Sequence, residues 1–269
     1  MIRKLIIALV GTLAICIMCT MINPMISQYK GRAVHISIDD VEISMRNLSN
    51  QKYRSIFDEP FFAFLQKLHK EYSLKITLYI YKEAEGYDIT SFPIKYKREF
   101  ANNADWLKFG FHAIRPQFNE EITANLDTFS TAYRQVDSCI TTFAGETSKS
   151  HILRLHYFFA TPAERTLISK SGGVILLAAD NSDRHSYSLL DDQLKSLRNG
   201  SYRDNELLFL ATDLRIENMT IPDYDLRVHQ ENDTLVIFTH EWALESRINR
   251  IRLIRTLQIL KTNKVTFIN

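Results

Sequence analysis

Val34-His35-Ile36-Ser37-Ile38-Asp39-Asp40 is the stretch on which the fold is decided. Its β-branched, apolar residues describe a buried strand, and two carboxylates leave the end of that strand directly. Three further strings have the same form: Trp106-Leu107-Lys108-Phe109-Gly110-Phe111-His112, Leu153-Arg154-Leu155-His156-Tyr157 and Leu235-Val236-Ile237-Phe238-Thr239-His240. Each closes an apolar run with carboxylate, imidazole or guanidinium groups. Polar residues placed just past the ends of separate buried strands meet on one rim when the strands are parallel and surround a common axis. An α/β barrel is therefore expected.

Working outward, strands at 75–81, 174–178, 207–212 and 235–239 alternate with helices at 60–72, 120–143, 162–170 and 245–261, and a strand is expected at 151–159. Thr161-Pro162-Ala163-Glu164 carries an N-cap, a first-turn proline and an acid, a good helix start. Alternating strands and helices imply parallel pairing with right-handed crossovers. An open doubly wound sheet fits the same alternation. The barrel is favoured because Asp39/Asp40, His112, Arg154/His156, Asp180, Asp213/Arg215 and His240 follow six different strands, whereas an open sheet gathers its chemistry near one switch point. No Gly-rich dinucleotide or phosphate loop follows the first strand.

With 269 residues, 45% hydrophobic and 24% charged, the chain can bury one large core. A net charge of +2 gives no basic face of the kind that binds nucleic acid, so no nucleic-acid partner is expected. Arg3 and Lys4 precede a charge-free apolar run from Leu5 to Ile22. That pattern reads as a signal-anchor or signal peptide over residues 1–28, with the barrel over 29–269. The expected location is a single-pass cell membrane protein with its domain extracytoplasmic, or a secreted protein if the segment is cleaved. Of three cysteines, Cys16 and Cys19 lie in the apolar run, leaving Cys139 alone in a helical stretch, where it reads as packed.

Neighbouring side chains at a strand end diverge, so one of Asp39 and Asp40 can bind a cation while the other serves as a base; a turn or helix cap is the alternative use of the pair. His112 offers a neutral imidazole, and Asp plus His suits zinc and related ions. Arg154 and His156 alternate on the expected strand and so share one face, where Arg154 can hold a carboxylate in a bidentate pair or form a structural ion pair with Asp180 or Asp213. His240 is the best-placed general acid in the chain, with Glu241 either orienting it or facing solvent. Trp242 either lines a sugar pocket or packs at the rim.

This set resembles the polysaccharide deacetylase (NodB-homology) superfamily over nearly the whole chain after the apolar segment. Members have a deformed seven-stranded (β/α) barrel and hydrolyse N- or O-acetyl groups on glycans with a divalent metal. Ser37-Ile38-Asp39-Asp40 is similar to the family's Thr-Phe-Asp-Asp string, which implies Asp39 as general base and Asp40 as a metal ligand. His112-Ala113-Ile114-Arg115-Pro116 is similar to its His-Ser/Thr-x-x-His-Pro string, one residue shorter and with Arg115 in place of the second ligand. Arg154-Leu155-His156-Tyr157 resembles Arg-x-Pro-Tyr with His for Pro, and Phe238-Thr239-His240 resembles Leu-x-His, implying His240 as the acid. The missing ligand is expected from His156, or from His240 at the loss of its acid role. Tyr157, Trp242 and Arg115 are the expected substrate contacts.

The resemblance thus implies a metal-dependent hydrolase, zinc being the expected metal, that removes N- or O-acetyl groups from an extracellular or cell-envelope polysaccharide or oligosaccharide. Two alternatives stand beside it. One is an inactive, membrane-anchored barrel that binds glycans, suggested by Arg115; the other is a metal hydrolase of a different amide or ester.

Overall fold

The computed structural model describes residues 32–180, 186–204, 207–224 and 234–269, so the expected apolar segment at 5–22 lies outside the described residues. Among the described residues no helix is long and apolar enough to cross a membrane.

Along the chain, β1 (Ala33–Asp39) leads into α1 (Ile43–Asn50) and α2 (Pro60–Tyr72), then β2 (Ile76–Tyr81) and a small hairpin of β3 (Glu83–Ala84) and β4 (Tyr87–Asp88). Next come α3 (Lys97–Asn102), β5 (Leu107–Ala113), α4 (Glu120–Thr123), α5 (Leu126–Phe143) and β6 (Ile152–Leu153). The following stretch holds α6 (Pro162–Lys170), β7 (Ile175–Leu177), α7 (Asp191–Arg198), β8 (Ser201–Asp204) and β9 (Leu207–Leu210). The chain finishes with β10 (Leu214–Arg215), β11 (Thr234–His240), α8 (Arg247–Thr262) and β12 (Thr266–Ile268).

This is a mixed α/β fold whose main pairings are parallel. One sheet runs β10-β11-β1-β2-β5, and a second runs β6-β7-β9-β8, with only β8 antiparallel. β1 lies at the centre of the first. β11 pairs with all of it, setting Asp39 beside His240, while β12 takes its first three residues and β2 takes Ser37 and Ile38 on the other edge. Val34 through Asp39 are all buried, as a strand enclosed on both faces requires. The two-residue alternation puts His35, Ser37 and Asp39 on one face and Val34, Ile36 and Ile38 on the other.

The two sheets also run into each other. A lone parallel bridge joins Phe109 of β5 to Lys149 just before β6, and the Ser150 N–H donates to the Phe109 carbonyl at 2.8 Å. At the other edge β9 continues through Asp213, whose N–H donates to the Val236 carbonyl at 2.9 Å. The C-terminal ends of the parallel strands therefore face one side. Gly110 serves the close approach expected of it: a Cβ there would stand 2.9 Å from the Tyr79 ring and 3.0 Å from Leu153.

Two expected elements differ. The helix expected at 120–143 is two helices, because the Asn125 side chain accepts the Thr128 N–H at 2.9 Å and starts α5 afresh. The strand expected at 151–159 is only Ile152–Leu153. Beyond it the chain enters a 3₁₀ turn at His156–Phe158, with Tyr157 and Phe158 both at a φ of +54°. Arg154 and His156 are thus not alternate residues of one strand; a turn, rather than a strand face, aims His156. Two successive left-handed residues without glycine are strained, by about 1–3 kcal/mol each, a load typical of functional turns.

Candidate metal centre with flanking acid and base

Asp40, His112 and His156 come together at the strand ends, each offering an atom to a common point. Asp40 is the first residue past β1, and its φ of +57° bends the chain so that the carboxylate leaves the direction of the strand. His112 Nε2 lies 3.2 Å from Asp40 Oδ1. His156 Nδ1 lies 3.1 Å from His112 Nε2 and 3.6 Å from Asp40 Oδ1.

Backbone carbonyls fix both imidazoles. The Arg154 carbonyl accepts from His112 Nδ1 at 2.7 Å, and the Pro116 carbonyl accepts from His156 Nε2 at 3.0 Å. A carbonyl can only accept, so each ring carries a hydrogen on the nitrogen facing away from the cluster. In the neutral rings, the inward nitrogens are then bare lone pairs facing each other and a carboxylate oxygen. Such a set needs a proton or a cation among its members, and distal imidazole N–H groups tied to carbonyls are the usual support of metal-binding histidines. The residues present therefore fit a divalent metal, with Asp40 Oδ1, His112 Nε2 and His156 Nδ1 as the donors.

Ionisation follows the same logic. Burial opposes charge on His112, but the hydrogen bond to Asp40 and the charges of Asp39 and Asp40 outweigh it and raise its pKa above the ordinary imidazole value. Burial and the His112 charge push His156 down to about 4. Burial works against ionised Asp40 too, yet bonds from His112 and Tyr81 hold it well below the usual carboxylate range.

Asp39 and Arg154 lie beneath this cluster, both fully or nearly fully buried. Arg154 Nε stands 3.5 Å from Asp39 Oδ2, one loose contact where a bidentate pair was the expectation. The guanidinium spends its other bonds elsewhere: Nη1 donates to the Ala178 carbonyl at 3.1 Å and to Thr212 Oγ1 at 2.8 Å, and its plane lies 4.2 Å over the Phe238 ring. Asp39 Oδ1 has no hydrogen-bond partner among the described residues. Burial therefore raises the Asp39 pKa, and the opposing charges of Arg154, His112 and His240 do not cancel that rise. Arg154 is neither paired with Asp180 nor with Asp213, whose Oδ2 accepts from the Val236 N–H at 2.8 Å.

His240 sits across the cluster, its Nε2 3.9 Å from Asp40 Oδ2. Its Nδ1 bonds to Glu217 Oε1. Glu217 in turn accepts from Thr239 Oγ1 and from Arg215 Nε, both at 2.8 Å. Burial disfavours the Glu217 charge, but the His240 and Arg215 contacts override it and hold its pKa at about 2. Glu217, then, orients His240. Glu241 does neither of the things expected of it: buried, it accepts the N–H groups of Glu42, Ile43 and Ser44, each at 2.8 Å, and so caps the start of α1.

The three expected substrate contacts are all exposed. Tyr157 is 50% accessible and packs edge-on against His156, with Phe118 beside it. Trp242 is 49% accessible, stacks on His240 at 5.0 Å between ring centres, and donates its indole N–H to Asp40 Oδ2 at 3.0 Å. Arg115 pairs with Glu83 at the edge of an open hollow beside the β3–β4 hairpin, and it shares the lining of a second, smaller cavity with His156. Cys139 is half-buried in α5, and burial pushes its thiol pKa up, which fits packing.

Two site residues escape sequence reasoning. Tyr81 ends β2 on the same rim and hydrogen-bonds to Asp40 Oδ1, a position that the polar-strand-end rule would have reached had phenols been counted. Glu217 lies in a 3₁₀ turn at Ile216–Asn218 and carries no sequence signal.

No family model matches the chain, and no curated protein matches it. Among solved structures it is similar to 4-α-glucanotransferase from Thermococcus litoralis, with a TM-score of 0.52 and 9% identity over 89% of this chain and 39% of that one. The chain thus spans well under half of that enzyme. At such identity the likeness concerns the fold, a mixed α/β arrangement of parallel strands.

Proposed function

We propose that this chain is a metal-dependent hydrolase that removes acetyl groups from a glycan, built on a deformed seven-stranded α/β barrel of the polysaccharide deacetylase kind. β1, β2, β5, β6, β7, β9 and β11 would be its staves. The observation that carries the reading is the convergence of three ligand atoms, on Asp40, His112 and His156, flanked on one side by a buried carboxylate and on the other by a carboxylate-oriented imidazole. His156 takes the ligand position that Arg115 cannot fill.

Asp40, His112 and His156 would hold a divalent ion, which would supply Lewis acidity toward an acyl carbonyl and a water. Asp39, whose burial makes it a stronger base than an exposed carboxylate, accepts the proton of the attacking water as the hydroxyl oxygen bonds to the acyl carbon. His240 then gives its proton to the leaving nitrogen or oxygen as the acyl bond breaks, yielding acetate and a free amine or alcohol. Glu217 keeps the His240 ring in place. Arg154 limits how far the Asp39 pKa climbs.

A glycan substrate is supported by the exposed aromatic faces of Tyr157 and Trp242 on either side of the cluster, and by the carbohydrate-active neighbour with a similar fold. The charge-free run at 5–22 supports membrane anchorage with this domain outside the cytoplasm. The test is acetate release by the full chain from a panel of N- and O-acetylated glycans, with Asp39→Asn as control. Release that depends on Asp39 supports the reading. A folded, zinc-loaded protein that releases nothing across the panel sinks deacetylation and favours the binding-module alternative or another amide or ester.

A further inference from the structure

Both oxygens of Asp40 are already held by side chains that take no part in the proposed proton transfers. The Tyr81 hydroxyl donates to Oδ1 and lies 3.1 Å from His156 Nδ1. The Trp242 indole donates to Oδ2 at 3.0 Å. Tyr81 owes its aim to a register shift between Ile80 and Tyr81, where β2 pairs irregularly with β5. Bulges of this sort re-aim a side chain beside functional sites.

We propose that Tyr81 and Trp242 clamp Asp40 as a ligand through Oδ1 alone, and that Trp242 ties the loading of the metal to the placement of His240. This rests on the metal-centre reading above. A carboxylate at the end of a strand can rotate about its last bond and offer either oxygen or both. Here the indole N–H occupies Oδ2 and turns it from the His112–His156 pair, while the phenol fixes Oδ1 beside them. The three donor separations, 3.1, 3.2 and 3.6 Å, are those of one face of a tetrahedron with bonds of about 2.0–2.1 Å, whose edges are ~3.3–3.4 Å. Trp242 also stacks on His240 with an interplanar angle of 27°, so one indole touches both the metal's carboxylate and the acid. Its half-exposed ring is then a positioning group on the side that stacks on His240, and a sugar platform on the exposed side.

The experiment uses the full chain, stripped with a chelator and titrated with Zn²⁺ against a chromogenic competitor, in wild type, Tyr81→Phe, Trp242→Phe and His156→Ala. Conservative removal of a partner that orients a metal ligand weakens metal affinity by about 10–100-fold. Tyr81→Phe and Trp242→Phe are each expected to do so in a stripped protein that still folds and melts cooperatively. Zn²⁺ should also alter tryptophan emission in wild type and not in Trp242→Phe, since the chain's other tryptophan, Trp106, bonds to Asn103 away from the site. Wild-type Zn²⁺ affinity in both variants overturns the clamp, as does a Trp242→Phe protein in which only KM for a glycan rises. Should Tyr81→Phe fail to fold, the half-exposed Trp242 carries the test. A His156→Ala protein that still binds Zn²⁺ tightly counts against the three-donor reading and leaves the clamp standing; a wild type that takes up no Zn²⁺ overturns both.

Discussion

Replacing Arg154 by Met keeps much of the buried volume and removes, among the described residues, the one cation facing Asp39 within ion-pair distance. Asp39 then sits buried with one oxygen already unpartnered and the other newly so. Stripping one partner from a buried pair destabilises by about 3–5 kcal/mol, because the remaining charge stays out of water. The neutral part of the loss, two hydrogen bonds to the Ala178 carbonyl and to Thr212, accounts for ~1–3 kcal/mol. In an Asp39→Asn background only that neutral part remains, so a double-mutant cycle should give a coupling of about 2 kcal/mol. The pH dependence has a definite sign. Asp39's pKa is raised in the folded protein, so folding is favoured while it is protonated and loses stability as pH rises beyond the ordinary carboxylate value of 3.8 and through the folded one. Removing Arg154 raises it further, and the deficit of Arg154→Met should be smaller at pH 5 than at pH 7. Urea unfolding of the four proteins at both pH values reads this directly. Equal losses in the Asp39 and Asp39→Asn backgrounds would refute the reasoning, because the deficit would then come from packing alone.

Three other outcomes follow from single contacts. Glu217→Gln should lower acetate release by about 10²–10⁴-fold while zinc content stays at the wild-type level, since it disables the orientation of the acid and touches no ligand; a loss of zinc as well would misplace Glu217. Glu241→Ala removes the acceptor of three N–H groups at the start of α1 and should reduce unfolding free energy by about 1.5–3 kcal/mol, read by urea melts. His35, fully buried between Tyr79 and the Ile268 carbonyl, has its pKa lowered to about 3 by burial and then by the Arg154 charge. The unfolded chain therefore binds a proton that the folded one refuses, and stability should fall by ~1.4 kcal/mol per unit as pH drops from 6.5 toward 3; His35→Gln should flatten that slope.

The sequence made β1, β11, α2 and α6 legible because their cues are local: β-branched runs in the strands, and first-turn prolines in the helices, one with a full capping box and one capped by Glu59. The polar ends of β1, β5 and β11 were legible too, and Asp39, Asp40, His112 and His240 do meet on one rim. What escaped was set by tertiary contacts. β6 stops after Leu153, and the left-handed pair Tyr157 and Phe158 turns the chain where periodicity predicts continuing strand. His156 still reaches the cluster, but by a turn held through the Pro116 carbonyl rather than by strand alternation. Glu241 follows His240 in sequence and was its natural partner on spacing, yet the open N-terminus of α1 takes it, and Glu217 arrives from 23 residues earlier. Proximity along the chain is a poor guide where a helix end offers three unsatisfied donors.

The measurement that bears most directly on the whole account is the divalent metal content of the purified full chain, by elemental analysis, in wild type and His156→Ala, with exposed His151→Ala as control. Three converging donors predict about one zinc per chain in wild type and in His151→Ala, and a large loss in His156→Ala. A wild type without bound metal, or a His156→Ala protein that keeps its full content, would contradict the site at the centre of the proposed function.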